Sequence, residues 1–254
     1  MPATSVRRWS TRRPRVDQAT GDTVPPPLPV VLLHGCGGSG AATFGDHGWL
    51  RALAACGRTA LAPDLPGHAA GAAVDPLAYG DLAGDLLRRL PAAFDAVGFS
   101  LGGKLLLEIA AREPQRVGRL VIGGVGDNVF APERAAIASA EALEQGPPAD
   151  APAPIVAFHR YCVASGSNLR GVAAVLRRPP NPRIDRARLA RISAPLLLVV
   201  GADDAIAHPG AALLAGLPHA RQVLLPGVDH LQLPASAEFL RQALDFLREP
   251  GDGR

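Results

Sequence analysis

FDAVGFSLGGKLLLEIAAR, residues 94–112, is the stretch that decides the fold. Ala96-Val97-Gly98-Phe99 closes a short apolar run suited to a buried strand. Leu101, Leu105, Ile109 and Arg112 then recur at helical spacing. Ser100 stands on the bend between them, inside a G-x-S-x-G whose glycines are Gly98 and Gly102. A side chain on such a strand-to-helix bend is held clear of the backbone in a strained conformation. Residues two places to either side must be small because strand and helix converge there, and Gly103 adds room. The first helical turn also offers unpaired N–H groups and the positive end of its dipole, which suits a developing oxyanion.

Outward from this stretch the pattern alternates. Val30–Leu33 reads as a buried strand stopped by His34-Gly-Cys-Gly-Gly-Ser-Gly40, and residues 48–56 as a short helix. Arg58–Asp64 is a second strand ending in the turn Pro63-Asp-Leu-Pro-Gly-His68. Asp75–Leu90 carries leucines at helical spacing, and Val117–Val125 is a further strand. Strand–helix alternation of this kind predicts an α/β fold with a mostly parallel, twisted sheet and helices on both faces. Over residues 127–184 the alternation stops. Helices are expected at 132–145, 154–164 and 168–178, with proline-rich hinges at 146–148 and 179–182, so the segment reads as a small helical cap inserted after the strand that follows the Ser100 helix. The alternation resumes with Pro195–Val200, a helix over 209–217, a strand at Arg221–Leu225 and a final amphipathic helix over Ala235–Arg248. The core is thus expected at 28–126 and 185–254. Before it, residues 1–27 form a basic, flexible leader ending in a stiff proline run, with Ser5–Ser10 and Arg15–Ala19 as weak strand candidates.

Charge and composition exclude several classes. The leader holds five arginines against Asp17 and Asp22, whereas the rest of the chain carries 21 basic and 21 acidic residues. The excess charge therefore belongs to the leader, and the body lacks the basic face that nucleic acid requires. No run reaches the ~18 apolar residues of a membrane span, and no apolar segment follows the arginines to make an export signal. Cys36, Cys56 and Cys162 are odd in number and badly spaced for a disulfide framework or a metal site. A reducing, cytoplasmic location is expected, with no metal and no cofactor.

In a parallel sheet, functional residues gather where strands end. Cys36 follows the strand at 30–33, Ser100 the strand at 94–99, Asp203 and Asp204 the strand at 195–200, and His230 the strand at 221–225. The order Ser…Asp…His is that of the nucleophile-elbow architecture. Ser100 needs a base to take its proton, His230 can supply it, and a carboxylate, Asp204, would fix the imidazole's tautomer. The backbone N–H of Leu101 and an N–H from the loop at Cys36 would hold the oxyanion.

These landmarks (LLHGCGGSG, APDLPGH, GFSLGG, VVGADD and PGVDH) run from residue 30 to about 248 and resemble the α/β-hydrolase superfamily, in its compact serine-esterase-like branch. The resemblance implies Ser100, Asp204 and His230 as catalytic triad, with the amides of Cys36 and Leu101 as oxyanion donors. Asp203 stands beside the acid, and some relatives carry the acid earlier, where this chain has Asp127. His68 and His208 are rivals to His230, and His34 is expected to brace its own loop. In the cap, Phe130, Phe158 and Tyr161 are candidate substrate contacts, with Ile137, Leu169 and Val172 adding apolar surface that serves either the substrate or the packing of the cap.

The expected function is hydrolysis of small carboxylic esters or thioesters through an acyl-serine intermediate. Serine at the elbow sets the chain apart from dehalogenases and epoxide hydrolases of this fold, which use aspartate. Alternatives are an accessory thioesterase acting on chains bound to an acyl-carrier protein, a C–C bond hydrolase, a perhydrolase, or a ligand-binding receptor that keeps the scaffold without turnover.

Overall fold

The computed structural model describes residues 27–130, 135–179, 184–207 and 210–249. The leader up to residue 26, the two weak strand candidates within it, His208 and prolines 180 and 182 of the second hinge lie outside these residues.

Six strands form one sheet: β1 (Val30–Leu33), β2 (Ala60–Leu61), β3 (Phe94–Phe99), β4 (Val117–Gly123), β5 (Leu196–Gly201) and β6 (Ala220–Leu225). Their order is β2-β1-β3-β4-β5-β6, and every pairing is parallel. The α/β class and the parallel sheet expected from the alternation are what the chain adopts. β1, β3 and β5 are buried along their whole length, as strands covered on both faces must be. Alternate residues divide between two cores. Val31, Leu33, Ala96, Leu120, Ile122 and Leu198 face one side, and Val30, Leu32, Val97, Phe99, Val121 and Val199 the other.

Helices α1 (Trp49–Ala55), α2 (Leu82–Leu87) and α3 (Leu101–Arg112) follow the first three strands. Then come α4 (Ala136–Gln145), α5 (Ala153–Ala164), α6 (Leu169–Leu176) and α7 (Arg186–Leu189), and finally α8 (Ala211–Ala215) and α9 (Ala237–Arg248). Ten of the twelve residues of α3 are buried, which makes it the central helix of its layer. Each fully buried Leu or Ile there contributes about 1.5–3 kcal/mol. α1 and α9 cover the opposite face, where Trp49, Phe44 and Phe239 pack edge to face. α4, α5 and α6 share a third, small core built on Ala140, Leu143, Cys162, Val172, Ala173 and Leu176.

Two of the expected elements take a different form. The strand expected at 58–64 is paired only over Ala60–Leu61. Pro63 has no N–H to continue the ladder, and Asp64 turns its carboxylate to the Gly40 N–H at 2.8 Å. The helix expected over 75–90 is two pieces, a 3₁₀ turn at Pro76–Tyr79 and then α2. Asp75 and Asp81 each cap a separate N-terminus, accepting from Leu77 and Gly84, and this restarts the helix at residue 82.

At the end of the sheet away from these loops, Asp95 is 7% exposed. Its carboxylate accepts from Arg58 at 2.5 Å and from the Arg119 N–H at 2.7 Å. Arg58 also donates to the carbonyls of Leu28 and Leu247, so one buried pair joins β1, β3, β4 and the end of α9.

Candidate active site

The strand order reverses at β1, which leaves a crevice between the carboxyl ends of β1 and β3. Register carries the remaining strands to the same edge: Leu33 pairs with Gly98, Gly98 with Ile122, Gly123 with Val199, and Gly201 with Leu225. The loops after β1, β3, β5 and β6 therefore open side by side.

Ser100 has φ 50° and ψ −114°, the only positive φ of a non-glycine among the described residues. That strain is sustained by its surroundings. The Ser100 N–H donates to the Gly123 carbonyl at 2.8 Å, and the Gly102 N–H to the His34 carbonyl at 3.1 Å. A methyl group on Gly98 would lie 2.7 Å from the Gly103 backbone, and one on Gly102 would collide with the Leu33 carbonyl. Leu101 is the first residue of α3, so its amide belongs to the turn that has no intrahelical acceptor.

His230 arrives by a second close approach. A side chain on Gly201 would strike the Val228 carbonyl, so glycine lets the 226–229 turn cross the end of β5. The N–H groups of Ala202 and Asp203 donate to the carbonyls of Leu225 and Val228 and fix that crossing. The Trp49 indole N–H donates to the Pro234 carbonyl at 2.9 Å and anchors the segment beyond it, a contact with no local sequence signal.

The three side chains meet. His230 Nε2 lies 3.0 Å from Ser100 Oγ, and His230 Nδ1 lies 2.8 Å from Asp204 Oδ2. Asp204 is 1% exposed. Burial opposes its charge, but the hydrogen bond from His230, their mutual attraction and the amides of Ala207 and Ile206 outweigh it. The carboxyl is held below the usual carboxylate range. Those amides donate to Oδ1 at 2.8 and 2.9 Å, leaving Oδ2 for the imidazole. An ionised Asp204 makes Nδ1 the protonated ring nitrogen and leaves Nε2 to accept from the serine hydroxyl.

Of the rival residues within the described part of the chain, Asp127 and His68 are bound elsewhere. Asp203 is exposed. Asp127 accepts from the Leu213 N–H at 2.9 Å and caps α8. His34 and His68 are buried neighbours, their rings 4.9 Å apart edge to face. His34 Nε2 accepts from the Leu65 N–H at 2.9 Å and its Nδ1 donates to the Gly35 carbonyl at 2.8 Å. Burial first, then the neighbouring His68, lowers its pKa to about 3. His68 likewise accepts from the Gly37 N–H at 3.0 Å, and burial lowers its pKa as well.

Cys36 sits between the α2–α3 core and the small core of α4–α6, packed against both. Phe130 packs on the first of these cores and Phe158 and Tyr161 on the second, so all three are at least partly packing residues. Phe158 lies beside Gly37, and the Tyr161 hydroxyl beside Gly38. Val172 is fully buried in the small core, whereas Ile137 is 56% exposed. No helix among the described residues is long and apolar enough to cross a membrane.

The family model for the alpha/beta hydrolase family matches residues 30–242. The chain belongs to the alpha/beta hydrolase family. This hydrolase is 31% identical to the pimeloyl-[acyl-carrier protein] methyl ester esterase of Chromobacterium violaceum, across 86% of this chain and 91% of that protein. It is 35% identical over 126 residues to the esterase Rv0045c of Mycobacterium tuberculosis, a match spanning 47% of this chain but only 36% of that protein's length. Among solved structures it superposes on the enol-lactonase from Burkholderia xenovorans LB400 with a TM-score of 0.68 at 21% identity, covering 88% of this chain and 92% of that one, a likeness of fold.

Proposed function

We propose that this α/β hydrolase is a serine esterase that cleaves carboxylic esters or thioesters through an acyl-serine intermediate. The observation that carries the reading is the unbroken contact chain Ser100 Oγ–His230 Nε2 and His230 Nδ1–Asp204 Oδ2, at 3.0 and 2.8 Å. In the forward step Ser100 Oγ bonds to the carbonyl carbon while His230 takes its proton. The carbonyl oxygen becomes an oxyanion held by the N–H groups of Leu101 and Cys36. Collapse expels the alcohol or thiol, which leaves with the proton from His230. Water then adds to the acyl-serine by the same route and releases the acid. Asp204 stays ionised throughout and stabilises the imidazolium.

Residues 127–184 act in this reading as a cap over the acyl group, with Phe130, Phe158 and Tyr161 as its candidate substrate contacts. Cys36, Cys56 and Cys162 are thiols that form no disulfide with one another, which supports a reducing, cytoplasmic setting. Replacing Ser100 by Ala is expected to lower turnover of short p-nitrophenyl esters on the order of 10³-fold or more. Wild-type rates in S100A would end the assignment.

A second reading narrows the substrate to an ester on a carrier-bound acyl chain. It is favoured by the relative from Chromobacterium violaceum, whose name specifies such a substrate and which aligns over nearly its whole length. Here the acyl-carrier protein is a partner and the arginine-rich leader a docking element. Removing residues 1–27 should then raise KM for the carrier-bound ester and leave KM for a free methyl ester unchanged. An equal KM for both with and without the leader would refute it.

A further inference from the structure

The loop that carries Cys36 is held from above, by the turn between α5 and α6. Ser167 Oγ lies 2.7 Å from the Gly37 carbonyl and 2.8 Å from the Gly38 carbonyl, and its single proton serves both. The next residue, Asn168, donates its N–H to the His68 carbonyl at 3.0 Å and its side-chain amide to the Ala69 carbonyl at 3.2 Å. His68 in turn accepts the Gly37 N–H. The α5–α6 turn thus grips the loop directly through Ser167 and indirectly through the turn at 66–69. The fit is close, because a side chain on Gly37 would collide with Cys162 Sγ of α5.

What this grip controls follows from the planarity of the peptide unit. The Cys36 N–H points opposite to the Gly35 carbonyl, since both belong to one trans peptide. That carbonyl is fixed by two donors, His34 Nδ1–H at 2.8 Å and the Gly38 N–H at 3.1 Å. Gly38 supplies the second donor only while its own peptide is held, and Ser167 is the side chain that holds it. Gly37 sits at φ +77°, and a glycine pivot of this kind turns readily once its carbonyl is released.

We infer that Ser167, in the α5–α6 turn, is a positioning residue that aims the Cys36 N–H at the oxyanion and so makes the α4–α6 helices part of the catalytic apparatus. The inference rests on the esterase reading above and adds to it a residue that never touches substrate. The ground-state ester uses the loop amide little and the tetrahedral species uses it fully, so the defect belongs in kcat and not in KM. Losing an oxyanion donor outright costs about 10²–10³-fold, and misaiming one costs less, on the order of 10-fold.

The test compares wild type with Ser167→Ala and Ser167→Thr, using a p-nitrophenyl ester and an aryl trifluoromethyl ketone. The ketone adds to Ser100 as a hemiketal whose oxyanion occupies the same site. S167A should lose about 10-fold in kcat at unchanged KM, with the ketone's Ki weakened by the same factor, and S167T should recover both. His68→Phe, which removes the acceptor for the Gly37 N–H, provides an independent variant should S167A fail to fold, and the same matched loss is expected. Changes in kcat and Ki of less than twofold in the folded variants overturn the inference while leaving the esterase reading standing. A wild-type protein that neither hydrolyses the ester nor binds the ketone overturns the esterase reading, and this inference with it.

Discussion

Lowering the pH should weaken the fold well above the range in which its carboxylates titrate, and His34 is the reason. The imidazole is fully buried, with both nitrogens committed, Nδ1 as donor to the Gly35 carbonyl and Nε2 as acceptor from the Leu65 N–H. A second proton would set an N–H against the Leu65 N–H, beside the edge of another buried histidine. Burial first and His68 second hold its pKa near 3, against 6.5 for the exposed group. The folded value lies below the unfolded one, so below pH 6.5 the unfolded chain binds the extra proton and the folded chain does not. His34 therefore contributes its full stability above pH 6.5 and loses it as the pH falls from there toward 3. The slope is about 1.4 kcal/mol per pH unit, or roughly 3 kcal/mol between pH 6.5 and 4.5. His68 is shifted in the same direction and steepens the loss. Asp204 acts lower. Its carboxyl is depressed below the ordinary 3.8, so its share of stability is present above 3.8 and lost as the pH falls from there through the depressed value.

Urea unfolding at pH 7, 6, 5 and 4.5, on wild type and His34→Gln, isolates the effect. Glutamine can still accept from Leu65 but does not titrate. H34Q should be about 1–3 kcal/mol less stable at pH 7 for its imperfect hydrogen bonds, and the gap to wild type should close by about 1.4 kcal/mol for each pH unit below 6.5. Two stability curves running parallel from pH 6.5 to 4.5 would show that His34 is not a buried neutral histidine, and the reasoning would fail.

Two further outcomes follow from other contacts. Asp204→Asn should lower kcat on the order of 10³–10⁴-fold by allowing the wrong imidazole tautomer, whereas Asp127→Asn, at the α8 cap, should leave kcat within a few-fold; the reverse ranking in steady-state assays would move the acid to residue 127. Asp95→Ala should cost about 3–5 kcal/mol, because it strands the Arg58 guanidinium, whose side chain is only 9% exposed. A urea midpoint within error of wild type would refute that.

The sheet and the Ser100 bend were legible because their causes are local. Continuous apolar runs separated by helical spacing can only be parallel strands covered on both faces, and glycines flanking a serine on such a bend answer a steric demand that the strand and helix themselves create. Asp204 and His230 were legible for a related reason, since both follow strand ends and the register of a parallel sheet brings strand ends together. What the sequence hid lay where a contact depends on distant backbone. The break at residues 80–81 turns on Asp81 capping a second helix, an event that leucine spacing masks. Asp127 and Asp204 both follow strands, and the partners that distinguish them, the Leu213 N–H at one and the His230 imidazole at the other, are brought by distant segments.

Ser167 is the extreme case. It sits in Ser165-Gly-Ser-Asn168, which reads as an ordinary polar turn, and its partners are 130 and 129 residues away. Those partners are backbone carbonyls of glycines, atoms that every residue type possesses, so no pairing of side chains marks the contact. A triad is readable because each member must be a particular side chain at a particular strand end. A loop conformation is not, because a hydroxyl from any segment that reaches it will serve. The same reasoning explains why His68, a rival to His230 in the sequence, acts with His34 as scaffold in the fold, the role expected for His34 from its place in the loop. Imidazole suits catalysis because it can accept on one nitrogen while donating on the other. Buried with both nitrogens occupied by backbone, that property joins the Cys36 loop to the turn at 63–68 and removes the ring from proton transfer.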